Sequence, residues 1–377
     1  MPLTAALGRV LARPVIAARD QPPFAASAMD GYAVAELPVP GAVFRVIGTA
    51  AAGAAFGGAT GSDQIRPGQI RPGQAVRIMT GAPVPLGTVF VVIQEDVTRE
   101  GDRITVLPTL GTGTNIRAAG SDFRAGADLS APRILTPAAI ALAAAMGHAA
   151  LTVTRRADVA IIATGDELVV PGQPARDDQI AASNSYGLFA LLQSLGAVPH
   201  LLPIARDTPA ALAQAFDLAG AADLVVTIGG ASVGDHDLVA PAARTAGFDL
   251  SFHKVAMRPG KPLMAGRSAR QILLGLPGNP VSAMVCGHVF LAPLIRALQG
   301  LPAAPAPREN AVLAAPLSGN GPREHYLRAR RGDAGVIAFD RQDSALLSVL
   351  AQADCLIVRP PDDPPRAVGD RVDILSL

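Results

Sequence analysis

Cysteine is almost missing from this chain. There are two among 377 residues, Cys286 and Cys355, far apart and each in an apolar setting. Neither belongs to a CxxC string and no His/Cys cluster occurs, which excludes a zinc site and a disulfide framework. The expectation is two buried free thiols in a reducing compartment. An excess of charge of one sign is missing too: 32 Lys and Arg stand against 31 Asp and Glu, interspersed, for a formal net charge of +1. That balance argues against nucleic acid or an anionic membrane as a partner. No GxGxxG and no GxxxxGK[ST] string is present, so neither a dinucleotide fingerprint nor a Walker-type loop explains the chain. The apolar stretch 138–153 is interrupted by Gly147 and His148 and falls short of the roughly twenty residues of a bilayer span. The opening MPLTAALGRVLARPV carries arginines inside its apolar part, unlike a secretory signal. A soluble cytoplasmic protein with no membrane partner is expected. What remains is 50% hydrophobic and 17% charged, a globular composition, and too long for one ordinary core.

The richest stretch is 223–282. Leu224 to Ile228 is a short β-branched run, the pattern of a buried strand. It ends in Gly229 and Gly230, and Ser232, Gly234, Asp235 and Asp237 follow before a helix expected from about 237 to 246. Glycines at a strand end let backbone N–H groups approach a ligand, and the N-terminus of the next helix favours an anion. The aspartates suit a divalent cation beside that anion. Lys254, Arg258 and Lys261 supply three cations around Pro259-Gly260. A second strand over 273–276 then turns sharply at Pro277-Gly278-Asn279-Pro280 into a helix near Val281. Taken singly, these are tight turns, helix caps and a solvated basic loop. Together they describe a pocket for phosphate and metal.

The strings GGASVGDHD, MRPGKP and LPGNPVS resemble, in order and spacing, the GGxSxGxxD, KPGKP and LPGNPVS signatures of the molybdopterin molybdenumtransferase family (the MoeA proteins, whose eukaryotic relatives include gephyrin). PPFAASAMDGYAV at 22–34, RIMTGAPVP at 77–85, NIRAAGSDFRAG at 115–126, TGDEL at 164–168, SNS at 183–185, YLR at 326–328 and the SxxLxxLxxA pattern from Ser344 to Ala353 are similar to further family strings. Two departures stand out. The family's GADAVV is GTVFVV here, without its aspartate, and Arg258 replaces a lysine, which keeps the charge but changes a point into a fork.

The fold class that the resemblance implies is a multidomain α/β protein. A doubly wound α/β domain like MogA and MoaB spans 151–297, and a small β domain spans 305–377 behind a proline-rich linker at 302–307. A β-rich module over 22–115, barrel-like or a sandwich by its alternating strands, is inserted in an N-terminal linker domain of 1–21 and 116–150. Within these, residue patterns predict helices over 2–12, from 136 to about 146, from 183 or 184 to 195, and over 208–219. The tandem IRPGQ at 65–69 and 70–74 reads as a tolerated loop insertion.

The activity implied is insertion of molybdate into adenylylated molybdopterin, with release of AMP and formation of molybdenum cofactor, assisted by Mg²⁺. The resemblance gives Asp30, Thr80, Glu167, Asp207 and Asp237 catalytic places, with Glu167 and Asp237 as metal ligands. It gives Gly229, Gly230, Ser232, Gly234, Lys254, Arg258, Lys261, Pro277, Gly278, Asn279, Pro280 and Ser344 to the substrates. Implied partners are a second copy of the chain, the molybdopterin adenylyltransferase, and recipient molybdoenzymes or their chaperones. A stand-alone adenylyltransferase would not need PPFAASAMDGYAV, and a scaffold of the gephyrin kind would carry long linkers. Tungstate in place of molybdate, and an accessory copy, stay open.

Overall fold

Alternation of side chains across a pleated strand decides most of the first 110 residues. The structure, a computed structural model, describes residues 1–57, 68–230 and 238–377. It divides into two compact units, residues 1–7 with 11–153, and residues 8–10 with 154–377. In the first, β1 (Gly31–Val34), β2 (Val43–Ala50), β3 (Gln74–Ile78), β4 (Phe90–Ile93), β5 (Val97–Glu100) and β6 (Arg103–Val106) form one sheet. Its order is β4-β1-β3-β2-β6-β5, with β2 and β3 parallel and the other neighbours antiparallel. Tyr32, Val34, Phe90 and Val92 enter one apolar cluster, while Ala33, Val76, Ile78 and Val91 enter another. The expected barrel or sandwich is thus a single mixed sheet with apolar packing on both faces. Strand periodicity marks which residues point together but not which strands pair. The second IRPGQ copy supplies the buried Ile70 and the turn into β3, where Arg71 N donates to Gln74 Oε1 at 3.0 Å. Residues 65–67 of the first copy lie outside the described residues.

A further cluster joins Ala6, Leu11, Val15 and Ala17 to Phe123, Leu129, Leu135, Ala143, Met146 and Leu151. Helix α1 (Pro137–Ala145) starts as its sequence predicts, with proline in the first turn and the Thr136 side chain accepting from Ala139 N. The helix expected over 2–12 does not form. Leu3–Ala5 is one 3₁₀ turn, Val10–Leu11 is extended, and Ala12 N donates to Thr152 O at 2.9 Å. A short isolated helix is marginal, and strand-like pairing with 152–153 wins.

The second unit holds a six-stranded sheet with helices on its faces. The strands are β7 (Asp158–Ala163), β8 (Val198–Leu201), β9 (Leu224–Ile228), β10 (Asp249–Lys254), β11 (Pro262–Arg267) and β12 (Ile272–Leu276). Their order is β8-β7-β9-β12-β11-β10; the first four are parallel, and β11 and β10 add an antiparallel edge. Every residue of β9 is buried, as a parallel strand covered on both faces requires. Leu224, Val226 and Ile228 pack with residues of α2 (Ser183–Ser194) and α5 (Pro280–Cys286). Val225 packs with residues of α3 (Pro209–Leu218) and α4 (Val239–Thr245). Thr208 caps α3, but Ser183 is the first residue of α2, behind Ala182, which makes no side-chain cap. From Pro280 to Leu298 the chain is apolar and long enough to cross a membrane by composition, at mean hydropathy 1.7. Its Val281, Val285, Leu291 and Ile295 are buried in the core instead.

The last sheet comprises β13 (Glu309–Val312), β14 (Glu324–Gly332), β15 (Gly335–Ala338), β16 (Cys355–Arg359) and β17 (Arg371–Ser376). Met257–Arg258 extends it in parallel with β14. Tyr326, Leu356, Val358 and Leu375 share an apolar cluster with Leu263, Val285, Cys286 and Leu291. The expected β domain has its own cluster, Leu313, Ala329, Val336, Cys355, Ile357, Val372 and Ile374, and packs its other face on the α/β core. Both cysteines are free and buried, and burial pushes each thiol up to about 12.

Candidate active site

Three parallel strands, β7, β9 and β12, end side by side at Thr164, Gly229 and Pro277, and a cavity of ≈ 720 Å³ opens beyond them. Open α/β sheets place ligands at this end. Gly229 has φ +92°, and a Cβ there would lie 2.9 Å from Thr164 O. Only glycine lets these strand ends come so close. Gly229 N donates to Leu276 O at 3.1 Å, and Asn184 Nδ2 donates to Gly278 O at 2.7 Å. The end of β12 is thereby tied to β9, and the PGNP turn that follows it to the first turn of α2. Asn279 Nδ2 in turn donates to Ser344 Oγ at 3.2 Å.

Glu167 and Asp207 line the cavity. Partial burial raises the Asp207 pKa, and the neighbouring Asp166 and Glu167 charges raise it further. Arg206 Nη1 donates to Asp166 O at 2.7 Å and holds the two acidic loops together. Among the described residues no group of three His, Cys, Asp or Glu side chains is placed to hold a metal. Two carboxylates are nonetheless the usual protein share of a Mg²⁺ site, the rest coming from water and substrate phosphates. The repulsion felt by Asp207 is what a cation would relieve, so the donors present fit Mg²⁺.

Of the residues expected from sequence, the cavity gathers Glu167, Asp207, Gly229, Gly230, Pro277, Gly278, Asn279 and Pro280, and Ser344 reaches it through Asn279. Ser232, Gly234 and Asp237 lie outside the described residues. Lys254, Arg258 and Lys261 are not among the described residues that line this cavity. Lys254 ends the edge strand β10 and Lys261 follows the turn, both exposed, while Arg258 pairs with β14. Arg258 instead lines a cavity of ≈ 390 Å³ with His325 and Arg359. There His325 is pushed down to about 4, first by burial and then by the Arg258, Arg328, Arg323 and Arg359 charges.

In the other unit, Asp30 and Thr80 are hydrogen-bonded to each other. Gly31 is fixed by close approach, since a Cβ would lie 2.1 Å from Val92 O. Asp30 O accepts from Gln94 N, and Asp30 Oδ1 accepts from both the amide and the hydroxyl of Thr80, each at 2.7 Å. The Thr80 hydroxyl, then its amide, hold the Asp30 carboxyl below its usual range, and the Arg77 charge adds to this. A cavity of ≈ 620 Å³ in the same unit includes Gly81, Arg117 and Asp122 in its lining. Sequence reasoning left Ser183, Asn184, Ser185 and Pro262 out of the first cavity and Arg117 and Asp122 out of this one. The SNS and NIRAAGSD strings were the available signals.

Residues 1–147 match the family described as MoeA N-terminal region (domain I and II), 160–297 a probable molybdopterin binding domain, and 310–377 the MoeA C-terminal region (domain IV). The chain is 38% identical over 387 residues to molybdopterin molybdenumtransferase 2 of Mycobacterium tuberculosis, covering 100% of this chain and 94% of that protein. It is 40% identical over 313 residues to molybdopterin molybdenumtransferase of a Nostoc species, covering 79% of this chain and 69% of that one. Among solved structures, the molybdopterin biosynthesis MoeA protein from Pyrococcus horikosii superimposes with a TM-score of 0.77 at 26% identity, covering 100% of this chain and 93% of that one. The fold, the site at the strand ends and these matches define a multidomain α/β transferase. The chain belongs to the molybdopterin molybdenumtransferase (MoeA) family.

Proposed function

We propose that the protein inserts molybdate into adenylylated molybdopterin, releasing AMP and forming molybdenum cofactor. The observation that carries this reading is the cavity beyond β7, β9 and β12, where glycine backbone and two carboxylates face one space of ≈ 720 Å³ in the segment that matches a molybdopterin binding domain. Gly229 and Gly230 bring main chain to the substrate phosphates, and the PGNP turn, braced by Asn184 and Ser344, closes the other wall. Glu167 and Asp207, with Asp237 as a further candidate, would hold Mg²⁺, which when bound neutralises charge at the phosphoanhydride. Asp30, oriented by Thr80, stays ionised and accepts hydrogen bonds from substrate. The cationic cavity of Arg258 suits a tetrahedral oxyanion such as molybdate.

We further propose a cytoplasmic homodimer as the working form. Purified protein given adenylylated molybdopterin, molybdate and Mg²⁺ is expected to release AMP and yield molybdenum cofactor. Glu167→Gln is expected to cut that release at least a hundredfold with the Tm held within a few degrees, because removing one metal ligand forfeits charge stabilisation that the fold does not use. An active Glu167→Gln enzyme, or a wild type that releases no AMP, would sink the reading.

A further inference from the structure

Strand pairing sets three side chains in one row at the edge of the last sheet. In register, Arg258 of the short strand Met257–Arg258 stands opposite His325 of β14, and His325 stands opposite Arg359 of β16. Partners in register on neighbouring strands point to the same face, so the imidazole lies between two guanidiniums. All three line the cavity of ≈ 390 Å³, whose wall also holds Ser318, Asn320 and Asp340.

The three differ in what holds them. Arg359 is buried, paired with the Asp363 carboxylate and bonded to Ser318 O and Pro364 O. Arg258 is exposed and, among the described residues, makes no hydrogen bond or ion pair. His325 is half-buried, and neither ring nitrogen has a hydrogen-bond partner among the described residues, yet neither is sealed from the cavity. In the empty cavity the charged imidazole is disfavoured by burial and by guanidiniums of three strands: Arg258, Arg323 and Arg328 of its own β14, and Arg359. Asp340 faces the same space, and Asp363 stands behind Arg359. At pH 7 the ring is therefore neutral, with one donor and one acceptor. An oxyanion seated on Arg258 offsets the guanidinium charge and offers acceptors to both ring nitrogens, which favours the imidazolium. The charge-assisted bonds so formed are about twice as strong as neutral ones.

We propose that this cavity takes up its oxyanion together with a proton, which His325 accepts as the anion settles on Arg258. It rests on the reading that the cavity holds a tetrahedral oxyanion, and it adds a binding residue and the charge state of the filled site. By linkage, anion affinity rises as pH falls from the imidazole pKa of the filled site toward that of the empty one, about 4.

Titration calorimetry of the full chain with molybdate in EDTA, at pH 6 and pH 8 and in buffers of different ionisation heat, tests this. Molybdate is a dianion over that range, so a proton taken up on binding goes to the protein. Wild type is expected to bind roughly tenfold or more tightly at pH 6, with a binding heat that changes with the buffer. His325→Gln is expected to keep the pH 8 affinity and to lose both the pH dependence and the proton uptake. Arg258→Ala is expected to bind roughly tenfold or more weakly at both pH values. The proton count on wild type stands without either variant. Binding that needs Arg258 but is equal at both pH values overturns the coupling and leaves the oxyanion in the cavity. Proton uptake that persists in His325→Gln overturns it as well. Binding that Arg258→Ala leaves unchanged, or no binding at all, removes the oxyanion from this cavity and the coupling with it.

Discussion

Ionising Asp207 costs the folded protein stability, because its carboxyl is partly buried and stands beside the Asp166 and Glu167 charges. A carboxyl whose folded pKa is raised binds its proton more tightly in the native state. The cost is absent well below the unfolded pKa and grows as pH rises through the folded one. Asp207→Asn is therefore expected to raise the Tm at pH 7 in metal-free buffer while lowering AMP release at least tenfold. Millimolar Mg²⁺ should raise the wild-type Tm more than that of the variant. A variant less stable than wild type without metal would mean that Asp207 is a structural partner. Glu167 and the two glycines were legible because a strand end followed by TGDEL or Gly-Gly dictates both backbone and place. Lys254, Arg258 and Lys261 could not be assigned to one cavity, because closeness along the chain does not say to which side of a sheet an edge hairpin carries its charges.

Among the elements, those with their own start signals were readable. Proline at 137 and 209 behind Thr136 and Thr208 fixed α1 and α3, and short apolar runs marked β7, β9 and β12. Where local signals were weak, partners decided, as in the failed helix over 2–12. Strand β16 illustrates a partner that sequence hides altogether. Its last residue, Arg359, is 2% exposed and pairs with Asp363, itself 7% exposed, while its other nitrogens donate to Ser318 O and Pro364 O. The guanidinium of Arg366, and with it that of Arg359, holds the Asp363 carboxyl below its ordinary value of 3.8. A depressed carboxylate contributes stability that is complete above the unfolded pKa and is lost as pH falls through the folded one. Acid unfolding is thus expected to take part of its slope from Asp363 below about pH 4. Asp363→Ala should flatten that part and cost about 3–5 kcal/mol at pH 7 by stranding a buried guanidinium. Denaturant melts across pH 2.5–7 check both, and a loss under about 1 kcal/mol would contradict the buried pair.

Across the whole molecule, the β domain behind the prolines of 302–307 keeps an apolar cluster of its own around Leu313, Ile357 and Ile374, yet it also lends a face to the α/β core. Tyr326, Leu356, Val358 and Leu375 complete the same core as Leu224, Val285 and Leu291. Proline-rich composition reads as a linker, and nothing local reveals that Ala306 packs against that core. A chain ending at residue 304 is expected to be poorly soluble and to bind an apolar dye strongly. A soluble, cooperatively melting truncation with the wild-type Tm would show two separable cores. The same feature bears on how the protein is made. Strand β12 is finished at Leu276, yet its core is closed by Leu375, about a hundred residues later. At roughly 5–20 residues per second, a ribosome leaves the α/β layer open on one side for on the order of 5–20 s. Nascent chains arrested anywhere in that interval should therefore be cut by protease and held by chaperones, and resistance should arrive abruptly once β17 has cleared the exit tunnel.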